Sequence, residues 1–209
     1  MKHPWEAISL EDYEAHMKLD SLKQLQTLNE MMKDQFAAYP VSRVMILGLA
    51  GGNGLEHIAK ERFERVYGVD VNAAYLEEAA RRYPSLAGVL ECLAVDLREK
   101  PCRLPEAELV VANLLIEYIG CTCFQKVIRR VRPSFVSCVI QRNEEAGWVS
   151  DSPYLRVFDV LEQLHRQVEA AELEAAMFEI GYRAAGTLER GLPNGKKFLR
   201  MDFERRLPA

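Results

Sequence analysis

Long apolar runs are missing from this 209-residue chain: no stretch approaches the roughly 20 residues that carry a helix across a bilayer. The opening residues, Met1-Lys2-His3-Pro4-Trp5, hold no apolar export core, so a cytoplasmic protein without a membrane partner is expected. A basic excess is missing too, with 27 Lys and Arg against 31 Asp and Glu and a formal net charge of −4. Proteins that grip nucleic acid cluster cations against phosphates, so that class of partner is disfavoured. The densest basic stretch, Arg129, Arg130 and Arg132, reads as a solvated helix face. Cysteine is sparse. Cys92, Cys102, Cys121, Cys123 and Cys138 form no CxxC and have no histidine at zinc-ligand spacing, so no metal site is expected. An odd cysteine count points to reduced thiols.

What is present suits a globular domain. At 49% hydrophobic and 28% charged residues, the chain buries a core without disulfide or metal support. Residues 5–38 read as helical, with Ser9-Leu10-Glu11-Asp12 as an N-cap and acidic first turn. Leu22, Leu25 and Leu28 form an apolar stripe that Met31 or Met32 extends. After Pro40 the pattern alternates. Strands are expected at Val44–Leu47, Arg65–Val71, Leu90–Val95, Leu109–Asn113 and Phe135–Gln141. Helices are expected at Leu55–Phe63, Ala73–Tyr83 and Cys123–Val131, and one or two more over 155–180. Such alternation predicts a parallel sheet covered on both faces. The ending breaks the rule: Arg183–Arg190 and Lys197–Arg205 read as strands joined near Asn194-Gly195, a tight-turn pair.

The chemistry-bearing signal is Val44-Met45-Ile46-Leu47-Gly48-Leu49-Ala50-Gly51-Gly52-Asn53-Gly54. Small residues let the backbone turn sharply after a strand and approach a ligand closely. About eighteen residues on, Val66-Tyr67-Gly68-Val69-Asp70 ends the second strand in a carboxylate. That spacing sets an acid against ribose hydroxyls, and a carboxylate accepts from both. The dinucleotide spacing G-x-G-x-x-G fits no register, because Gly52-Asn53-Gly54 runs into Leu55, Glu56 and His57. No P-loop lysine follows.

On these residues the chain resembles the class I S-adenosylmethionine-dependent methyltransferases of the small-molecule kind. Gly48, Ala50 and Gly52 match the family's alternating glycines, and Asp70 its ribose-binding acid. Ala94-Val95-Asp96-Leu97 matches the segment that meets adenine, and Glu108 through Leu114 the fourth strand. The resemblance covers about 41–205. It implies a Rossmann-like, doubly wound α/β fold: a mostly parallel seven-stranded sheet with a terminal antiparallel strand. Residues 1–40 would form a helical lid and 41–209 the catalytic domain. S-adenosyl-L-methionine is the implied cofactor, held by Gly48, Leu49, Ala50, Gly51, Gly52, Asp70, Val71, Asn72, Asp96, Leu97, Asn113 and Leu114. Two departures stand out. The acid common two positions before the first glycine is Ile46, so the contact to the methionine end must come from elsewhere, and the middle glycine is Ala50.

The acceptor is less legible, since in-line methyl transfer rests largely on positioning and water exclusion. Glu117 and Tyr118, just past the fourth strand, are candidates for orienting or deprotonating an acceptor and for walling the site. Glu117 reads equally as a solvated helix-start carboxylate. His16 joins them from the N-terminal helices, and Tyr13, Met17, Trp148 and Tyr154 are the candidate substrate contacts. Stripes of Met and aromatic residues also serve as plain core. His57 reads as structural and His165 as surface. Asn113 lacks the Pro-Pro-aromatic continuation of DNA amino-methyltransferases, and Pro101-Cys102 precedes the fourth strand where a cytosine nucleophile would follow it. A small-molecule acceptor is therefore expected. The competing readings are a nicotinamide-dependent oxidoreductase and a non-catalytic S-adenosylmethionine-binding module.

Overall fold

The computed structural model describes residues 3–99, 103–143, 147 and 149–206. Pro101-Cys102 and Trp148 lie outside these described residues. Among the described residues no helix is long and apolar enough to cross a membrane.

One seven-stranded sheet organises the chain. Its strands are β1 (Arg43–Leu47), β2 (Arg65–Asp70), β3 (Leu90–Ala94), β4 (Leu109–Asn113), β5 (Phe135–Arg142), β6 (Tyr182–Gly191) and β7 (Lys197–Arg205). They lie in the order β3-β2-β1-β4-β5-β7-β6. The first five are parallel, and β7 runs antiparallel to both β5 and β6. An all-parallel dinucleotide fold would run 3-2-1-4-5-6, so the inverted β7 sets this sheet apart. Topology reverses at the β1–β4 seam, where ligands of open α/β sheets collect beyond the strand ends.

The inner strands are apolar on both faces, as burial on two sides demands. Val44 and Ile46 of β1 face one core with Val66 and Val111; Met45 and Leu47 face the other with Val110 and Val136. Helices α4 (Ile116–Val131) and α5 (Ala170–Glu179) cover the second face through Phe124, Ile128, Leu173 and Met177. Helices α2 (Gln24–Ala37) and α3 (Ala73–Arg82) cover the first through Met32, Phe36, Leu76 and Ala79. Helix α1 (Leu10–Lys18) precedes them, with Ser9 capping it by accepting from the Asp12 N–H at 3.0 Å.

Three expected elements are corrected. In place of a helix over Leu55–Phe63 stands a short 3-10 turn, Leu55–His57, followed by a second turn closed on the Ala59 carbonyl. Gly52 and Gly54 hold left-handed backbone, with φ of 85° and 90°, and Gly54 offers no side-chain cap. Met32 of α2 already packs against Gly54, so α2 covers the ground a longer helix would have needed. The helix after β4 begins at Ile116 and not Cys123, with a break at Gly120 where φ is 74° and ψ 157°. Over 155–180 only Ala170–Glu179 is α-helical; Leu155–Leu161 is a 3-10 segment. That segment packs Phe158 and Leu161 against Ile8, and Val168, seven residues further on, joins the main core.

Candidate functional site

Three recesses meet above the β1–β4 seam. The first is a cleft of about 730 Å³, its open mouth included, with Gly48, Ala50, Asp70, Asp96, Leu114 and Tyr118 among its walls. The second, about 540 Å³, has Glu117, Gln141, His16, His165, Phe158 and Ser150. The third, about 480 Å³, has Glu14, Ile46, Gly51, Asn53 and Asn113. Tyr13 borders all three, and Trp5, Leu114 and Tyr118 divide the first from the second.

The floor is strained backbone. Among the described residues four non-glycines have positive φ, and two of them, Ala50 at 48° and Leu114 at 52°, line the cleft. Each such residue costs on the order of 1–3 kcal/mol and persists where its surroundings over-determine it. Gly48, with φ of 74°, ends β1 without a side chain, and its N–H donates to the Val69 carbonyl at 2.8 Å. The loop backbone thus forms the cleft wall.

Asp70 ends β2 facing this wall. One carboxylate oxygen accepts from the Ala50 N–H at 2.9 Å and the other from the Asn72 N–H at 2.9 Å. Burial raises its pKa, and the backbone N–H groups of Asn72, Ala50 and Val71 oppose that rise. Each oxygen keeps acceptor capacity for a ligand hydroxyl. Asp96 lies further along the cleft. Burial works against its charge, but the side-chain and backbone hydrogen bonds from Arg98 outweigh it and hold its pKa low. His3 approaches it at 3.9 Å.

Glu117 is the electrostatic anomaly. It is 3% exposed; Oε1 accepts from the Gln141 N–H at 2.8 Å, and Oε2 has no hydrogen-bond partner. Burial pushes its pKa up to about 7. An unsatisfied buried carboxylate is costly, and this one borders the second recess. His16 lies opposite with Nδ1 2.7 Å from Ser152 Oγ. Burial, then the charge of Lys196, lowers His16 and His165 to about 4, so both imidazoles are neutral near pH 7. Tyr118 packs edge-on to Trp5 at 5.0 Å and to His165 at 5.6 Å.

The N-terminal segment closes over the cleft and is fastened to α3. Tyr75 donates from its hydroxyl to the Ile8 carbonyl at 2.8 Å, and Asn72 from Nδ2 to the Trp5 carbonyl at 3.1 Å. Arg82 pairs through both terminal nitrogens with Glu14.

No protein-family model matches the chain, and no curated protein sequence matches it. Solved structures do. The [4+2]-cyclase SpnF superposes with a TM-score of 0.65 at 11% identity, over 87% of this chain and 81% of that one. Magnesium protoporphyrin IX methyltransferase from Synechocystis, solved with S-adenosylmethionine bound, gives 0.63 at 13% identity, over 87% and 79%. The N-methyltransferase NodS from Bradyrhizobium japonicum, solved with S-adenosylhomocysteine, gives 0.64 at 13% identity, over 86% of each chain. The fold is that of the class I methyltransferases.

Within this methyltransferase fold, most of the expected residues converge. Gly48, Ala50, Asp70, Val71, Asp96, Leu97, Asn113 and Leu114 line the first cleft, while Leu49 and Gly51 line the third recess. Gly52 and Asn72 line none of the three. Asn72 instead caps α3 by accepting from the Ala74 N–H, and Gly52 lies against Leu55 and Tyr83. Asn113 is at the cleft, but its amide is paired reciprocally with buried Gln35 at 2.9 Å. Glu117, Tyr118, His16, Tyr13 and Met17 all border the second recess, though Met17 also packs in a core with Leu25, Leu28 and Phe198.

Tyr154 does not reach that recess; Phe158, one turn on, does. His57 is structural, with Nε2 2.9 Å from Asn29 Oδ1. His165, expected at the surface, is half-buried and borders the second recess. Trp5, which the sequence offers with Tyr13, His16 and Met17 among the N-terminal candidates for acceptor contact, borders both the first cleft and the second recess. The sequence carries no signal for His3 and Tyr75 at the first cleft, Gln24 and Gln141 at the second, or Glu14 at the third.

Proposed function

We propose that the protein is an S-adenosylmethionine-dependent methyltransferase acting on a small molecule held in the second recess. One observation carries this reading: two cavities meet at Leu114, Tyr118 and Tyr13, one walled by Asp70 and the glycine loop, the other holding the unpartnered Glu117 oxygen. The cofactor, when bound, supplies an electrophilic methyl group on a sulfonium. The donor set fits it. Asp70 would accept from the ribose hydroxyls and Asp96 from the adenine amino group, with Val71 and Leu97 giving apolar contact to the base; all four line the first cleft. The loop backbone at Gly48 and Ala50 approaches where no long side chain intervenes.

On the acceptor side, Glu117 holds a donor group or takes its proton, and His16 supplies a second polar contact. Tyr118 walls the junction. The segment from His3 through α1 excludes water, which strengthens electrostatics inside the site. Neighbours with this fold act on small molecules such as a porphyrin and geranyl diphosphate, which supports a small acceptor here.

A second reading has a specific observation behind it. SpnF is a [4+2]-cyclase on the same fold, and Ile46 replaces the family acid in this chain. The fold would then bind cofactor without transferring its methyl. Incubation with methyl-labelled cofactor and a cell extract separates the two, because a labelled product is expected only from a methyltransferase. Calorimetry tests the cofactor itself: Asp70→Ala is expected to weaken S-adenosylhomocysteine binding by about 1–3 kcal/mol through the loss of charge-assisted hydrogen bonds. Binding of a nicotinamide dinucleotide with none of S-adenosylhomocysteine would refute the assignment.

A further inference from the structure

The third recess carries an inference of its own, resting on the cofactor reading just given. Ile46 occupies the position where the resemblance calls for an acid on the methionine end, and it lines this recess. It is 3% exposed and part of the apolar core, so it offers an ammonium group nothing. Across the same recess stands Glu14 of α1, 8% exposed and the only carboxylate among its lining residues.

Glu14 is held in place. Arg82 grips both of its oxygens, and Lys18 approaches Oε2 at 3.4 Å. Arg82 is itself anchored by Glu78, whose carboxylate accepts from Nε at 2.8 Å. The carboxylate rests against the glycine loop: a Cβ added to Gly51 would come within 2.5 Å of Glu14 Oε1. Two carboxylate oxygens offer about four acceptor sites, so Arg82 and Lys18 leave room for another donor.

We propose that Glu14 replaces the missing acid, binding the amino group of the cofactor's methionine end from the lid side of the cleft. A residue 32 positions before Ile46 in the chain thereby supplies the carboxylate that Ile46 does not. Binding of the amino-acid tail and closure of α1 become one event, since the carboxylate reaches the recess only while α1 lies on the loop.

The test compares two ligands. S-adenosylhomocysteine carries the amino-acid tail; methylthioadenosine shares its adenosine and sulfur and lacks that tail. Glu14→Gln is expected to weaken S-adenosylhomocysteine by about 10-fold or more in calorimetry, as loss of a charge-assisted hydrogen bond would, and to leave methylthioadenosine within about twofold by the same reasoning. Unchanged methylthioadenosine binding also reports an intact fold, which the remaining Glu78–Arg82 pair favours. Equal losses for both ligands, or for neither, would overturn the proposal. Should the variant fail to fold, a deaminated analogue of S-adenosylhomocysteine on the unaltered protein answers the same question: equal affinity for the two overturns it. If the unaltered protein binds neither adenosine ligand, the cofactor reading fails first and takes this inference with it.

Discussion

Replacing Glu117 by glutamine is expected to cut methyl transfer at pH 8 by about 100-fold or more while making the protein more stable at that pH. The first effect follows if Glu117 takes a proton from the acceptor, a role that contributes about 10²–10⁴-fold. Its Oε1 is occupied by the Gln141 N–H and its Oε2 is unpartnered at the second recess, so the glutamine keeps the shape and loses the base. With the carboxyl titrating near pH 7, kcat/KM should rise through that pH in the parent protein and lose that step in the variant.

The second effect follows from proton linkage. A carboxyl raised from 4.5 to about 7 on folding binds its proton more tightly when folded. Its contribution is therefore most favourable below the unfolded value and declines as pH rises from 4.5 to 7. The loss is about 3 kcal/mol at 1.36 kcal/mol per unit. His16 and His165, lowered from 6.5 to about 4 by burial and Lys196, act oppositely and lose stability as pH falls from 6.5 to 4. Comparing parent and variant cancels the histidines. Thermal melts should show the variant ahead by roughly 6–12 °C at pH 8 and level with the parent near pH 4, using about 2–4 °C per kcal/mol. Full activity in the variant would remove Glu117 from the chemistry, and an unchanged melting gap between the two pH values would contradict its buried charge.

The first cleft, to which the cofactor is assigned in the proposed function, was legible in the sequence because it is local. Strand β1, the glycine loop, β2 and Asp70 span about 30 consecutive residues, and the parallel pairing of β1 with β2 places their ends side by side. Asp96 and Asn113 follow from the same logic, as the next parallel strand ends. Side-chain commitments were not legible: nothing in the string shows that Gln35 ties up the Asn113 amide, 78 positions away. Nor does it show that Asn72 caps a helix.

The acceptor side depends on where the N-terminal residues fold back, and periodicity does not encode that. Glu14 meets Arg82 across 68 positions and His16 meets Ser152 across 136. The absence of a helix after the glycine loop has a similar origin. Residues 55–63 carry helix-forming side chains, but left-handed Gly52 and Gly54, together with Met32 of α2, leave space only for a turn. Tertiary packing there overrides local propensity.

The second expected effect is that of Gly51→Ala. Gly51 does not need its glycine for backbone freedom, since its φ is not positive. It needs the space. A Cβ there would lie 2.5 Å from Glu14 Oε1, 2.7 Å from Arg82 Nη1 and 2.9 Å from Leu10 Cδ2. Two of those three atoms belong to α1 and the third to the arginine that holds it. The sheet below cannot yield, because Ile46 and Leu47 are at most 3% exposed; the three side-chain ends can, at the expense of the Glu14–Arg82 pair that fastens α1. One methyl group should therefore part Glu14 from Arg82 and loosen α1 on the loop, at about 1 kcal/mol, the low end of overpacking costs.

Hydrogen exchange is expected to quicken about fivefold along α1, in line with that cost, while β1 and β4 keep their protection. S-adenosylhomocysteine should bind more weakly as well, because the Glu14 carboxylate turns from the third recess that it lines. Gly191→Ala serves as the control, since an added Cβ there meets nothing within 4 Å. Unchanged exchange in α1 would mean that the helix does not rest on the loop through Gly51. Quickened exchange with unchanged binding would mean that the lid and the cofactor site are separable, and the closing role given to α1 would go with it.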